Sequence, residues 1–564
     1  MVTNHSAADA DVDTGTLNAA LQRLAARKDA WASLSARERA PFLRSTITGV
    51  LAIADEWVRR ACAAKQIDPR SPLAGQDWIS GPLTTVRGLR LFAQALEAGG
   101  LPRPPKIRRR PDGQVVATVL PATLLDRAIF SGMTAEVWIQ PGCAPTQGRI
   151  YRQKEKGAPS QGRVALVLGA GNIAAIAPLD VVTKLVVDDA VVLLKVNPVN
   201  EYLLPLFQRA FRTLLDAGFV EIVGGGPQVG AYLCQHPLVD TIHLTGSDRT
   251  HDAIVWGPAD GQAARKAARK PLVDKPVTSE LGCVTPVIVV PGQWSPQDVA
   301  FQARHIASMV AHNASFNCTA AKVLVVSSGW AQRQQFVDGV RSALARMEPR
   351  VAYYPGAEER YARFLSCYPR AEVVGRSGKG VVPWTIAWDV PATTGQYALT
   401  TEAFCGVLSV VTLDAPDADS FLRRAVSFVN QDVWGNLSCV LLVDRHTEQD
   451  HSDALERAIA NLDYGGIGVN AWSGANFSLG CTSWGAYPGN AIENIESGRG
   501  TVHNTYLFDH PQKSVVRAPF RIRPTPIWFT DHRTLGHLGR LLTSFEARPS
   551  WVKLPAVAWH GLRA

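Results

Sequence analysis

Between residues 163 and 244, short apolar runs alternate with stretches of helical spacing, and this alternation constrains the fold more than any other feature of the chain. Residues 164–168, 191–195, 221–223 and 241–244 read as strands, and residues 180–187 and 202–217 as the helices between them. Parallel strands need such crossovers, so the pattern predicts a mostly parallel sheet with helices on its faces. A second alternating block runs from residue 284 to 479, with strands near 287–290, 322–326, 408–412 and 439–443, and the boundary falls near Glu280. At 564 residues the chain exceeds what one core can hold, which agrees with two α/β units.

Outside these blocks the signals are simpler. Residues 17–65 and 82–98 have helical spacing, and 102–111 read as a Pro/Arg connector. Extended segments near 135–140 and 149–153 suggest a hairpin, with β-rich residues 514–522 as partner to it or to another subunit. The composition, 46% hydrophobic and 19% charged, is that of a globular protein. The net charge of +9 is spread over the chain apart from Lys106–Arg110 and an Arg-rich tail, which argues against nucleic-acid binding. Nine scattered cysteines contain no Cys-x-x-Cys, so neither a disulfide framework nor a metal site is expected. Charges interrupt every apolar stretch before membrane-spanning length, and the N-terminus lacks a secretory pattern. A reducing cytoplasm is the expected setting.

The first strand leads into Gly169-Ala170-Gly171-Asn172-Ile173-Ala174, a Gly-x-Gly-x-x-Ala turn of dinucleotide-binding type. That fingerprint requires an acidic residue ending the next strand to hold ribose hydroxyls. Here the strand ends in Lys195, so a cation stands where an anion belongs. A strand-end Lys with an Asn on the preceding turn suits another arrangement, in which the ammonium donates to ribose oxygens and the amide faces a reacting carbonyl. Its remaining parts are a phosphate-accepting helix N-terminus, a carboxylate base and a nucleophilic cysteine. Thr245-Gly246-Ser247 supplies the first, Glu280 the second and Cys318, in an Asn/Ser/Thr-rich turn, the third. Taken singly, each has a plainer reading as helix cap, surface carboxylate or buried thiol.

Together and in this order, the segments resemble the NAD(P)-dependent aldehyde dehydrogenase superfamily over roughly residues 20–520. The resemblance gives Asn172 the role of oxyanion-hole donor, Cys318 that of nucleophile and Glu280 that of general base. Lys195, Thr245, Gly246, Ser247 and Leu281 become cofactor-binding residues. "TEAFCGVLSVVTL" (401–413) resembles the motif in which Glu402 and Phe404 hold the nicotinamide ribose and ring, and 466–472 the border of the substrate mouth. Departures occur at Ala170-Gly171 before Asn172, at Cys283, at Cys405-Gly406 and at His251.

What the resemblance implies is an aldehyde-dehydrogenase-like fold of two parallel-sheet α/β domains with a small β oligomerisation arm. Residues 1–133 and 161–279 would bind the cofactor, 280–483 would carry catalysis, and 134–160 with 484–564 would form the arm and C-terminal extension. The extension is expected to cover a subunit interface in a homodimer or homotetramer. The implied reaction is oxidation of an aldehyde to a carboxylic acid, with NAD or NADP as cofactor and a cysteine thioester as intermediate. Cys318 would attack as thiolate. Pro198 stands three positions after Lys195, where an acidic residue would repel a 2′-phosphate, so NADP is tolerated. Trp78, Phe316, Trp434, Trp472 and Trp484 are candidates for an apolar substrate tunnel, favouring a hydrophobic aldehyde. The alternatives are a coenzyme A-dependent acylating enzyme and an inactive paralogue with a binding role.

Overall fold

The computed structural model describes residues 13–157 and 161–563. Two helices, Thr14–Ser33 and Ala36–Ala64, open the chain; the second starts on a capping box in which the Ser35 and Glu38 side chains satisfy each other's backbone N–H. The first lays Trp31 against the cofactor-side sheet, where its indole donates to the Leu185 carbonyl at 3.0 Å.

That sheet has six strands, in the order Gly498–Arg499, Val277–Glu280, Thr241–Thr245, Arg163–Leu168, Ala190–Lys195 and Val220–Val223. All pairings are parallel except the one to the two-residue edge strand. From Arg163–Leu168 the chain builds outward on one side through two strands, then returns to the other side at Thr241–Thr245. The direction of winding reverses between Leu168 and Thr245. Such a switch point opens a crevice at the carboxyl ends of the strands, where α/β proteins bind ligands.

After Glu280 the chain passes into an eleven-stranded sheet at Pro286–Val289. Its parallel centre contains Gly466–Val469, Ser438–Leu442, Pro286–Val289, Val323–Ser327, Val407–Leu413 and Thr385–Ala387. Val323–Ser327 and Ser438–Leu442 are buried on both faces, which explains their unbroken apolar sequences. The expected strand positions in both blocks hold to within a residue or two; Gly466–Val469 and Thr385–Ala387 are additional.

The arm differs from expectation. Residues 149–153 lie in a helix, Arg149–Glu155, entered through Gly148 in left-handed conformation. Arg, Gln, Lys and Glu favour that helix, and Tyr151 anchors it by donating to the Val186 carbonyl at 2.7 Å. The hairpin partner of Thr134–Ile139 is Val115–Leu120, followed outward by Lys106–Arg109, so the Pro/Arg connector contains a strand. Pro511–Arg517 pairs antiparallel with Thr134–Ile139 and parallel with Gly466–Val469. The arm thus continues the larger sheet within one chain.

The C-terminal extension covers the chain's own helices. Leu535–Ala547 packs against Ala74–Trp78 and Thr84–Glu97, with Gly75 leaving room for Leu535 and Gly539 for Trp78. Glu546, buried, bridges Arg87 and Arg90.

Candidate active site

A cleft of about 1480 Å³ lies at the switch point, and every residue singled out above for catalysis or cofactor binding lines it: Asn172, Lys195, Thr245, Gly246, Ser247, Glu280, Leu281, Cys318, Glu402 and Phe404. The topology accounts for the convergence. Lys195, Thr245 and Glu280 end strands of the six-stranded sheet, and Asn172 sits on the turn after Leu168. Cys318 and Glu402 come from the larger sheet's side, just before Val323–Ser327 and Val407–Leu413.

Cys318 and Glu280 are in direct contact, with Sγ 3.5 Å from Oε1. Burial raises the Glu280 carboxyl to about 8, helped by the buried Asp180 charge. Burial and the neighbouring Glu280 also push the Cys318 thiol up, which favours the protonated thiol at rest. The indole of Trp484 leans toward Glu280 and lowers it slightly without reaching full hydrogen-bond geometry.

The cysteine loop is strained. Asn313, Ala314 and Ser315 all have positive φ, at 52°, 56° and 67°, as does Phe404 at 41°. Residues other than glycine hold such angles only where their surroundings impose them. Here Asn313 imposes them: its amide donates to the carbonyls of Asn172 at 3.0 Å and Phe316 at 2.9 Å. Its oxygen accepts from Lys65 at 3.0 Å, and Lys65 is paired with the buried Asp77 at 2.5 Å. One side chain therefore ties the Asn172 turn to the cysteine loop. Sequence reasoning missed Asn313, Lys65 and Asp77, because they lie far apart in the chain and belong to no local motif.

The residues present fit a dinucleotide. Glu280 Oε2 and Glu402 Oε1 are buried without a hydrogen-bond partner, the state expected of groups awaiting a ligand. Burial lifts Glu402 to about 7, opposed by Lys322. A Cβ on Gly282 would lie 2.1 Å from Glu402 Oε2, so a larger residue there would displace the Glu402 carboxyl group. Burial lowers Lys195 to about 8, with Glu201 opposing. At Thr245 the reading needs refinement: its hydroxyl donates to Asp180 at 2.9 Å, while Ser247 caps helix Asp248–Val255 by accepting from the Thr250 N–H. Gly226, Pro227 and Gly230, at the start of helix Pro227–Gln235, also line the cleft. A Cβ on Gly226 would meet nothing within 4 Å and one on Gly230 only Leu168 at 3.9 Å, so these glycines keep space free for something other than protein. Their signal, Gly224-Gly225-Gly226-Pro227 before a helix, was present in the sequence and went unread.

A second, smaller cavity of about 50 Å³ meets the first at Glu280 and Cys318. Trp472 and Trp484 line it, as expected, and Trp434 lines the larger cleft. Phe316 instead packs among Tyr353, Tyr354 and Phe404, and Trp78 lies against the C-terminal helix under Arg540. The described residues contain no cluster suited to a metal ion and no helix long and apolar enough to cross a membrane.

The fold is an α/β fold of aldehyde dehydrogenase type, with a partly buried Cys–Glu pair where the switch-point crevice meets the larger sheet. Known structures of that fold superimpose over most of the chain. An NADP-dependent glyceraldehyde-3-phosphate dehydrogenase from Bacillus halodurans, solved with NADP, has a TM-score of 0.59 at 16% identity, covering 89% of this chain and 91% of its own. Aldehyde dehydrogenase C from Pseudomonas syringae, solved with NAD+ and octanal, has a TM-score of 0.59 at 15% identity, covering 90% of this chain and 89% of its own. Residues 169–355 match the aldehyde dehydrogenase family model. A curated relative, aminoaldehyde dehydrogenase 1 (peroxisomal) of Pisum sativum, is 26% identical over 266 residues, which is 43% of this chain and 48% of the pea protein. The match thus spans about half the length of that relative. Residues 169–355 thus resemble the aldehyde dehydrogenase family, and the chain as a whole has the fold of its solved structures.

Proposed function

We propose that the protein oxidises an aldehyde to a carboxylic acid with NAD or NADP, through a thioester on Cys318. The observation that carries this reading is the partly buried 3.5 Å contact between Cys318 Sγ and Glu280 Oε1 at the junction of the two cavities. Lys195 would hold the ribose near the adenine, the Ser247-capped helix start the pyrophosphate, and Glu402 and Phe404 the nicotinamide end. A bound nicotinamide supplies the hydride acceptor.

Glu280 has two tasks in this scheme. As carboxylate it takes the Cys318 proton, because a thiol attacks poorly. Sulfur then bonds to the aldehyde carbon, and the oxyanion accepts from the Asn172 amide and the Cys318 backbone N–H. Removing one such donor typically costs about 3 kcal/mol of barrier. Loss of hydride from carbon leaves the acyl group on sulfur. Glu280 releases the cysteine proton to solvent and, again a carboxylate, takes a proton from water; the hydroxide oxygen bonds to the acyl carbon, and the C–S bond breaks, the sulfur taking the proton from Glu280 to return the thiol as the acid leaves. A base in contact with the sulfur favours water over coenzyme A as acceptor. Fold neighbours solved with NAD+ and with NADP support tolerance of both cofactors.

The test follows reduced-nicotinamide absorbance with n-alkyl aldehydes, with and without coenzyme A, for wild type, Cys318→Ala and Glu280→Gln. The reading expects turnover independent of coenzyme A, lost in Cys318→Ala and, in Glu280→Gln, a slowed first equivalent followed by arrest. Turnover that requires coenzyme A would favour acyl transfer. No turnover with either cofactor would favour a binding role.

A further inference from the structure

The small cavity beside Cys318 is walled by residues from four parts of the chain. Ile79, Ser80 and Thr84 come from the N-terminal helices, Ile173 and Ile176 from the Asn172 turn, Trp472, Phe477 and Trp484 from the larger domain, and Ile527 and Trp528 from the C-terminal extension. Its hydroxyl and amide groups are occupied, and its unpartnered polar atoms are Glu280 Oε2 and the indole N–H groups of Trp484 and Trp528. Ser80 and Thr84 donate to the carbonyls of Gln76 and Ile79 at 2.6 and 2.7 Å, and Asn317 is engaged by Thr319 and His312. Burial holds His312 uncharged, down to about 3. Glu280 is the one carboxylate among the lining residues, and it is held by the Cys318 contact.

The extension fixes its part of the wall firmly. Ile527 packs with Ile79, Leu83 and Leu538, and Trp528 lies beside His305. On either side, the Phe520 carbonyl accepts from Gln302, the Thr530 N–H donates to Ser308 Oγ at 3.2 Å, and Asp531 pairs with Arg304 at 2.9 Å. The enclosed volume of about 50 Å³ compares with roughly 150 Å³ for an apolar cavity that admits benzene, and with about 10–15 Å³ for one water. Three or four heavy atoms fill it.

We infer that the C-terminal extension is the length gauge of the acyl site: Ile527 and Trp528 restrict the substrate to short, uncharged, apolar acyl groups of about two to four carbons. This rests on the reading of Cys318 as nucleophile. It separates the protein from what the name of its pea relative implies, since the wall's one carboxylate, Glu280, stands at the sulfur and none lies beside Ile527 and Trp528, where an ω-ammonium group would reach.

The experiment compares wild type with Ile527→Ala and Trp528→Ala, which enlarge the cavity, and Ile527→Trp, which shrinks it. Two readouts are taken across C2 to C8 chains. One is kcat/KM for n-alkyl aldehydes and an ω-amino aldehyde. The other is protection of Cys318 from iodoacetamide by n-alkyl amides, followed on the Cys318 peptide by mass spectrometry. Wild type should favour C2–C4 and lose about ten-fold or more per further methylene. Either alanine variant should move the cutoff outward, raising hexanal against propanal by about ten-fold, and Ile527→Trp should move it inward. The ω-amino aldehyde should fall at least about ten-fold below its uncharged counterpart. Should one alanine variant fail to fold, the other and the tryptophan variant still carry the test in opposite directions. A length profile identical in all folded variants, or a preference for the amino aldehyde, overturns the inference. A shifted amide-protection profile with no turnover of any aldehyde would overturn the proposed activity and leave the length gauge standing.

Discussion

Glu280→Gln should make the protein more stable, and by an amount that depends on pH. The carboxyl, 3% exposed, has its pKa raised by burial from an ordinary 4.5 to about 8. Between those values the folded chain holds a proton that the unfolded chain releases. Stability of the wild type therefore falls as pH rises from about 5 to 8 and levels off above. At about 1.4 kcal/mol per pH unit, the shift corresponds to a ceiling of about 5 kcal/mol. Glutamine keeps the shape without the charge, so the variant should match wild type near pH 5 and exceed it by about 3–5 kcal/mol at pH 9. Thermal unfolding of both proteins at pH 5, 7 and 9 measures this as a difference in Tm that grows by several degrees across the series. Parallel Tm–pH curves would refute the reasoning, because they would mean Glu280 ionises as an ordinary surface carboxylate.

Four further outcomes follow from the same geometry. Thioester hydrolysis should rise with pH and level off above about 8, when Glu280 is ionised, as read in a single-turnover pH series. Lys195→Met should raise the KM for NAD(P) by about ten-fold while changing kcat little, since it removes a binding contact remote from the sulfur. Gly282→Ala should weaken cofactor binding with the fold retained, by driving Glu402 from its position 2.1 Å from the new methyl group; equilibrium titration with the reduced cofactor reads this. Glu546→Ala leaves Arg87 and Arg90 buried without their shared carboxylate and should destabilise the extension by about 3–5 kcal/mol, seen as early proteolytic release of the C-terminal residues.

The parts of the site legible in the sequence are those written locally. Lys195, Thr245 and Glu280 each end a strand whose apolar run is visible, so their convergence follows once the strands are placed in one parallel sheet. Glu402 and Cys318 likewise stand just before strands with unmistakable Val and Leu content. Asn313 was not legible, because its role is to join Asn172, Phe316 and Lys65 across distant segments, and an Asn in a polar turn carries no sign of that. The arm was misjudged for a different reason: the helix Arg149–Glu155 depends on Gly148 and on Tyr151 reaching Val186, a tertiary contact that extended-looking residues do not announce. The extension docks on its own chain, where Gly75 and Gly539 leave room for it, a fit that no local motif announces.

The most direct test of the account is the intact and peptide mass of Glu280→Gln after incubation with propanal and NAD(P)+ in the absence of coenzyme A. The account predicts one propanoyl group per chain on Cys318, formed slowly because the thiol has lost its proton acceptor and persisting because the base that removes the acyl group is gone. An unmodified chain that has nonetheless reduced the cofactor, or an acyl group on a cysteine other than Cys318, would contradict it.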